Sequence, residues 1–483
     1  MTVKADSRLR HLHGTVLAGA FALGVGPGCR DGSATAEPEP DCIRDGDCGA
    51  SQVCRAGQCF EVKPPVNELT EVAPVDPSGY RGGPGQWGAL RGTAPQQAPT
   101  LLWEQPLGAP VSAAPVLTEV DGETWAVVGA HHGRLVGAVV DGKREPGLLA
   151  LDVWLPGIIW GTAAIADGVV FVGADDDHLH AFELATGKPR FHMQMGDCEP
   201  PRAPGPMGML CDVDGGPTLV PSRGGAAGAR DLVLGANGVY RVTAKGELRW
   251  HTPIVAIAPE EPPSKKKSKK KKSKSKKSKS KKSNKQADEE ATKSNSTDGP
   301  SKPVDFLRRV HVYASPLVTP TGDVFVGTQG GGLVALTPEG RVRWQVPLRG
   351  DVDAAPVLTD DGLIVVGDDG GNATAFDPAG NQRWRVHTGA PIQAPLAVDS
   401  RGEVVVATTE GKLLAIGTGG SERWSAELDG PILAAPRVDA SGAILVVTQS
   451  GTLYALSPRG KTTWQLALPS EVDGGVALSD QGV

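Results

Sequence analysis

Two short stretches concentrate the side chains best suited to hold a metal ion. One carries His131 and His132; the other carries Asp175, Asp176, Asp177 and His178, with His180 just beyond. Imidazole and carboxylate ligands together suit a divalent transition metal, so His131, His132, Asp175, Asp177 and His178 are the metal candidates. Elsewhere the chain fills the equivalent position with DDGGN, TQGGG and TTEGK. Asp is expected in such turns for local hydrogen bonding, so ordinary turn chemistry is the favoured reading. No HExxH, GxSxG or P-loop occurs, and no hydrolase or phosphate site can be named.

Cysteine is the second reactive type. The seven are Cys29, Cys42, Cys48, Cys54, Cys59, Cys198 and Cys211. Cys29 follows a basic start (Lys4, Arg8, Arg10) and an apolar stretch, GTVLAGAFALGVG, over residues 14–26. That stretch is shorter than the about 20 residues a bilayer span needs and suits a signal-peptide core. No later segment reaches spanning length, so no transmembrane helix is expected. The join Gly26-Pro27-Gly28-Cys29 resembles the bacterial lipoprotein cleavage site, although Gly26 and Pro27 depart from its usual pattern. The resemblance implies a signal peptide over 1–28, a lipidated Cys29 and a polar tether over 29–41. An ordinary secreted protein is the alternative. Lipid on Cys29 leaves six cysteines, a number that can pair completely.

Cys42, Cys48, Cys54 and Cys59 follow C-x5-C-x5-C-x4-C. So short a piece, residues 42–60, cannot build a core and needs crosslinks. It resembles the cysteine-rich modules near the N-terminus of exported bacterial lipoproteins. Zinc usually takes C-x2-4-C pairs, absent here, so disulfides are expected, with three pairings open. A rigid spacer is the favoured role over a binding knob. Residues 61–84 read as a linker. Cys198 and Cys211 lie in one Pro-rich connection, 196–216, and are expected to pair.

Charge is divided unevenly. The net charge is −6, yet 14 lysines and no acid fall between Lys265 and Lys285. Without them 35 basic residues face 55 acidic ones, a net charge of −20. The chain is an acidic body with one basic run, and no nucleic-acid partner is expected. The Lys/Ser-rich insertion, 259–303, has no apolar residues at its centre to offset ordering and is expected to be disordered. It reads as a tolerated insertion or as a tether to anionic surfaces.

These groups must be carried by a scaffold, and the composition says which kind. Apolar residues make up 39%, enough for a sizeable core, while 64 Gly and 40 Pro argue against a helical protein. Trp344, Trp384, Trp424 and Trp464 are spaced by 40 residues each time. They close the segments ALTPEGRVRW, AFDPAGNQRW, AIGTGGSERW and ALSPRGKTTW. Each unit holds four short apolar runs divided by turn residues, the pattern of one propeller blade. Trp250, Phe191 and Trp103 close earlier, more worn copies. Seven complete units lie between Trp103 and Trp464. A first strand after Trp464 and the last strands before Trp103 suggest an eighth, composite blade that closes the ring. The expectation is an all-β, eight-bladed propeller of four-stranded antiparallel blades over 85–483, with seven blades as the alternative.

The segment AFELATGKPRF fits the tryptophan-docking motif of the pyrroloquinoline-quinone (PQQ)-type propeller family through Ala181, Thr186 and Gly187. Glu183 and Phe191 replace the motif's Asp and Trp. Trp87, Arg91 and Gly92 also resemble the opening of bacterial PQQ-like repeat proteins. The resemblance covers about residues 85–483 and implies a blade-docking role for Trp103, Phe191, Trp250, Trp344, Trp384, Trp424 and Trp464. Quinoprotein dehydrogenases of that family add a vicinal Cys–Cys pair, and none occurs here. No enzyme activity, no PQQ and no other cofactor are therefore expected. The expected function is a monomeric, lipid-anchored scaffold of the cell envelope that binds a protein or envelope component. The alternative is a ligand- or metal-binding sensor or enzyme.

Overall fold

The structure is a computed structural model that describes residues 52–55, 58–61, 90, 92–195, 212–224, 228–255 and 310–478. The expected leader and tether, Cys29, Cys42, Cys48, Cys198, Cys211 and the 259–303 insertion lie outside the described residues. The chain divides into two units, Met1–Pro64 and Pro65–Val483. In the first, strands Gln52–Arg55 and Gln58–Glu61 form an antiparallel hairpin whose register places Cys54 opposite Cys59.

The second unit contains seven four-stranded antiparallel sheets, each built in chain order as a meander. They span 116–154, 164–194, 218–253, 317–347, 357–387, 397–427 and 437–467, numbered here as blades 1 to 7, with strands a to d in each. Blade 5 is typical: Val357–Leu358, Ile364–Gly367, Asn372–Phe376 and Gln382–His387. Its second and third strands are buried at every position, whereas its fourth is exposed at both ends. Continuous apolar runs such as LIVVG follow from that geometry, because an inner strand packs a blade on each face and has no solvent face to alternate with.

Six hydrophobic clusters each join one blade to the next around the ring, from blades 1 and 2 to blades 6 and 7. The docking residues cap these clusters. Trp344, Trp384 and Trp424 each donate an indole N–H to a carbonyl in the next blade's c–d turn: Pro378 (3.0 Å), Thr418 (2.9 Å) and Pro458 (3.1 Å). Trp250 does the same to Pro338 at 3.1 Å. Each ring lies on a turn glycine. At Gly420, where φ is +79°, a Cβ would come within 2.7 Å of Trp384. That position needs glycine both for its left-handed backbone and for the ring that covers it. Phe191 packs on Gly246 in the same way without an N–H to donate, and Trp103 packs on Gly147.

The eighth blade expected from the repeat is not formed: the described residues build seven sheets. The terminal segments nevertheless occupy the gap. Leu90, Ala94 and Leu478 share a cluster with Trp464. Trp464 donates to the Pro95 carbonyl at 2.7 Å, as its counterparts do to the c–d turn of a real blade. The backbone of this segment is committed to blade 7. Leu90 N–H donates to Val438 O (2.7 Å), Ala440 N–H to Gly92 O (3.1 Å), and Ala94 N–H to the Asp439 carboxylate (2.6 Å). With those groups spent on a neighbour, no four-stranded ladder is left to form, and the segment closes the ring by docking.

Candidate functional site

Two sets of residues meet at one end of the central channel. The first comes from the b–c turns and the second from the lead-in before each strand a. Backbone bonds stitch them together. The turn N–H donates to its own blade's lead-in: His131 to Pro110 (3.0 Å), Asp369 to Asp351 (2.9 Å), Gln449 to Pro431 (2.7 Å). The preceding turn carbonyl accepts from the next blade's lead-in: Ala174 from Val213 (3.3 Å), Thr328 from Val352 (3.3 Å), Thr408 from Ile432 (3.1 Å). Each turn thus holds two blades. The residue after the second stitch is brought beside the turn residue of the preceding blade.

Side-chain pairs follow that rule around the ring. Gln329 donates to Asp353, Gln449 donates to Asp473 at 2.7 Å, and Asp369 is hydrogen-bonded to Gln393. In blades 1 to 4 the same positions carry aromatic and acidic groups. The His131 ring packs at a tilt against Trp160, with centroids 4.2 Å apart, and shares a 2.8 Å hydrogen bond with Ser112. Trp160 donates its indole N–H to Asp175 at 3.0 Å. Asp175 is hydrogen-bonded in turn to the Asp214 carboxyl, whose other near neighbour is His311 Nε2 at 3.4 Å.

Four of these groups, Ser112, Trp160, Asp214 and Asp353, line a cavity of about 160 Å³ at the channel mouth. Its wall includes Trp160, Asp214, Tyr313, Asp353 and Arg437, and it receives residues from the lead-ins of all seven blades and Gly475 from the terminal segment. Burial pushes the Asp214 carboxyl well above its usual range, and the bond to Asp175 and the charges of Asp212 and Asp353 add to the effect. Burial, with the charges of Asp369 and Asp351, pushes Asp353 up to about 7, against the pull of the Gln329 hydrogen bond. The Tyr313 hydroxyl is raised by burial and then by the same carboxylates. The mouth gathers carboxyl groups whose ionisation is opposed by burial and by one another.

The five metal candidates do not converge. His131 and Asp175 reach the mouth on either side of Trp160. His132 turns outward and meets Trp154 edge-on at 4.7 Å. Asp177 is buried at a left-handed φ of +68°. His178 Nδ1 lies 2.6 Å from the Asp176 carbonyl, while the Asp176 carboxylate bonds His180 at 2.9 Å. Among the described residues no group of three or more His, Cys, Asp or Glu is arranged to hold a metal ion.

Residues 237–379 and 369–482 match the family whose description is outer membrane protein assembly factor BamB, and together they span just over half of the chain. The chain belongs to this PQQ-like propeller family. Among solved structures, a europium-containing methanol dehydrogenase aligns at 14% identity with a TM-score of 0.57, covering 83% of this chain and 87% of its own. The quinohemoprotein alcohol dehydrogenase of Comamonas testosteroni aligns at 14% identity and 0.52, covering 76% and 68%. The computationally designed protein Ika8 aligns at 14% and 0.51, covering 77% and 91%. At such identities these likenesses show the shared fold and nothing of activity. No curated protein matches the chain.

In this PQQ-like propeller the sequence reading missed Trp160, Asp214, Tyr313 and Asp353 as mouth residues. A signal for them was present. They precede the aligned pairs GT, GG, AS and AA, one per blade, each just before strand a. No helix among the described residues is long and apolar enough to cross a membrane.

Proposed function

We propose that this PQQ-like propeller is a non-catalytic, envelope-located scaffold, anchored through Cys29, that holds a protein or envelope component on the channel-mouth face. One observation carries the reading. The backbone stitches repeat around the ring, whereas the side chains they present change from blade to blade, so the fold is kept constant while one face is varied. Loops set on a rigid frame are where recognition is usually placed. The family's description as an assembly factor supports a protein partner.

The quinone cofactor implied by the family name does not fit the residues at the mouth. PQQ carries three carboxylates, and the wall offers Asp214 and Asp353 against the single guanidinium of Arg437. The cavity of about 160 Å³ is also small beside the roughly 300–1,000 Å³ usual for such ligands. The gathered carboxyl groups do support a second reading, a small-ligand or metal sensor, because perturbed groups in a cleft are common at functional sites.

The test is a photo-crosslinking residue placed at position 154 on the mouth face or at position 121 on the opposite face, in intact cells. A discrete adduct from 154 and none from 121 is the expected result. Equal adducts from both faces, or none from either, would defeat the scaffold. Cys29→Ser should release the protein into the soluble fraction, and continued membrane retention would remove the anchor.

A further inference from the structure

The mouth face joins two features that arise independently. One is exposed aromatic surface: Trp154 is 61% exposed and Trp160 is 40% exposed. Two large indole surfaces are thus presented to solvent on the mouth face. Both are held in place by the adjacent pair His132 and His131, and Trp160 also by its bond to Asp175. Their poses therefore exist before any partner arrives, which lowers the ordering cost of binding. The other feature is the cavity beside Trp160, with Tyr313 on its wall and the carboxyl groups of Asp214 and Asp353 facing it. Asp351 and Asp369 add charge around Asp353, and Asp175 and Asp212 around Asp214. Facing these are the buried Arg437 and the His311 imidazole.

Building on the scaffold reading, we infer that the mouth face docks a protein segment presenting a lysine or arginine side chain, which enters the aromatic and carboxylate cavity. The chemistry matches at both ends of such a side chain. Its methylene stem covers indole surface, and its cationic head meets the electron-rich faces of Trp160 and Tyr313. The head also forms charge-assisted hydrogen bonds to Asp214 and Asp353, stronger than neutral ones. An anionic or neutral segment would bring no charge to favour ionisation of those carboxyl groups in a desolvated site.

The experiment uses the full chain and fluorescence-labelled decapeptides that alternate glycine with lysine, glutamate or glutamine. The lysine peptide should bind at least about tenfold tighter than the glutamine peptide, and the glutamate peptide should not bind. Asp353→Asn and Trp160→Ala should each weaken binding about tenfold, and Trp160→Phe should restore most of it. Asp121→Asn removes the same charge from the opposite face and should change binding less than about twofold. Equal losses from Asp121→Asn and Asp353→Asn would reduce the effect to diffuse attraction and overturn the proposal. Binding that appears only after deletion of residues 265–285 would assign the mouth to the chain's own lysine run, which also overturns it. A crosslinked adduct at position 154 without lysine-peptide binding would defeat this inference and leave the scaffold standing. Circular dichroism melts of each variant separate lost binding from lost folding.

Discussion

Blades 4 to 7 and blades 1 to 3 are built on one backbone plan and used differently. In the later blades the repeat is regular: Trp344, Trp384 and Trp424 each donate to a carbonyl in the next blade's c–d turn, and Trp464 donates to the Pro95 carbonyl of the terminal segment. In the earlier blades the docking ring of Phe191 has no donor, and the mouth positions hold His131, Trp160, Asp175 and Asp214. The stitches around the channel nevertheless persist in both regions. Main-chain hydrogen bonds do not depend on side-chain identity, so the mouth residues could diverge without opening the ring. The regular region supplies stiffness and lends the mouth Tyr313, Asp353 and Arg437, and the divergent region supplies the aromatic and acidic side chains that the repeat does not call for.

The comparison is broken most forcefully by removing a docking ring. Trp384→Ala should cost about 3–5 kcal/mol in urea unfolding, because the ring is buried between two blades and the turn glycine beneath it cannot collapse into the void. A loss below 1 kcal/mol would show that the blade clusters hold without it.

Ring closure comes next. The Asp439 carboxylate accepts from the N–H groups of Ala94, Ser441 and Ala443. Asp399 plays the same turn role one blade earlier, with bonds from the N–H groups of Arg401 and Glu403, two more from the Arg401 guanidinium, and no terminal segment to hold. Asp439→Ala should cost about 2–3 kcal/mol, and more than Asp399→Ala by about 1 kcal/mol when both are measured in an Arg401→Ala background, which removes the guanidinium pair of Asp399. Equal losses would mean that the Ala94 bond contributes nothing to closure.

Acidity should sharpen the contrast. Asp353 is held at about 7 in the folded protein, above the ordinary value of about 3.9 in the unfolded chain. The folded state therefore binds more protons than the unfolded state between those values. The stabilisation from the protonated carboxyl is complete below about pH 4 and is lost as pH rises through about 7. Asp214, also raised, acts in the same direction. Glu123, held down to about 2 by its hydrogen bonds from Arg144 against some cost of burial, acts in the opposite direction, and below about pH 4. The melting temperature should fall by about 2–4 °C from pH 5 to pH 8, and Asp353→Asn should flatten that slope. A rising slope would contradict the assignment.

The smallest effect is expected at the mouth itself. Trp160→Ala should change stability by about 0.5 kcal/mol or less, since the ring is already 40% exposed. A loss comparable to that of Trp384→Ala would make Trp160 a docking residue and remove it from the recognition surface.

Much of this was legible in the chain. The 40-residue spacing of the tryptophans announced the blades, and the aligned turns placed each strand. The eighth blade was read from terminal segments that match the repeat, but matching residues do not guarantee a ladder once their backbone groups are spent on blade 7. The metal candidates were grouped because they are close in sequence or lie in neighbouring turns. Consecutive residues of a turn point in different directions, so His131 faces the channel while His132 faces Trp154. The carboxyl pair Asp175 and Asp214, and the sharing of one cavity by Asp214 and Asp353, cross blade boundaries, where nothing local marks the contact.

The sequence by itself determined the repeat, the four-strand unit and the residues that dock blade on blade, because periodicity and turn chemistry act over a few residues at a time. Only the tertiary structure decided how the ring closes and which side chains share the mouth. Those outcomes depend on which main-chain groups remain unpaired after seven sheets have formed, and on where the resulting stitches bring residues from separate blades together.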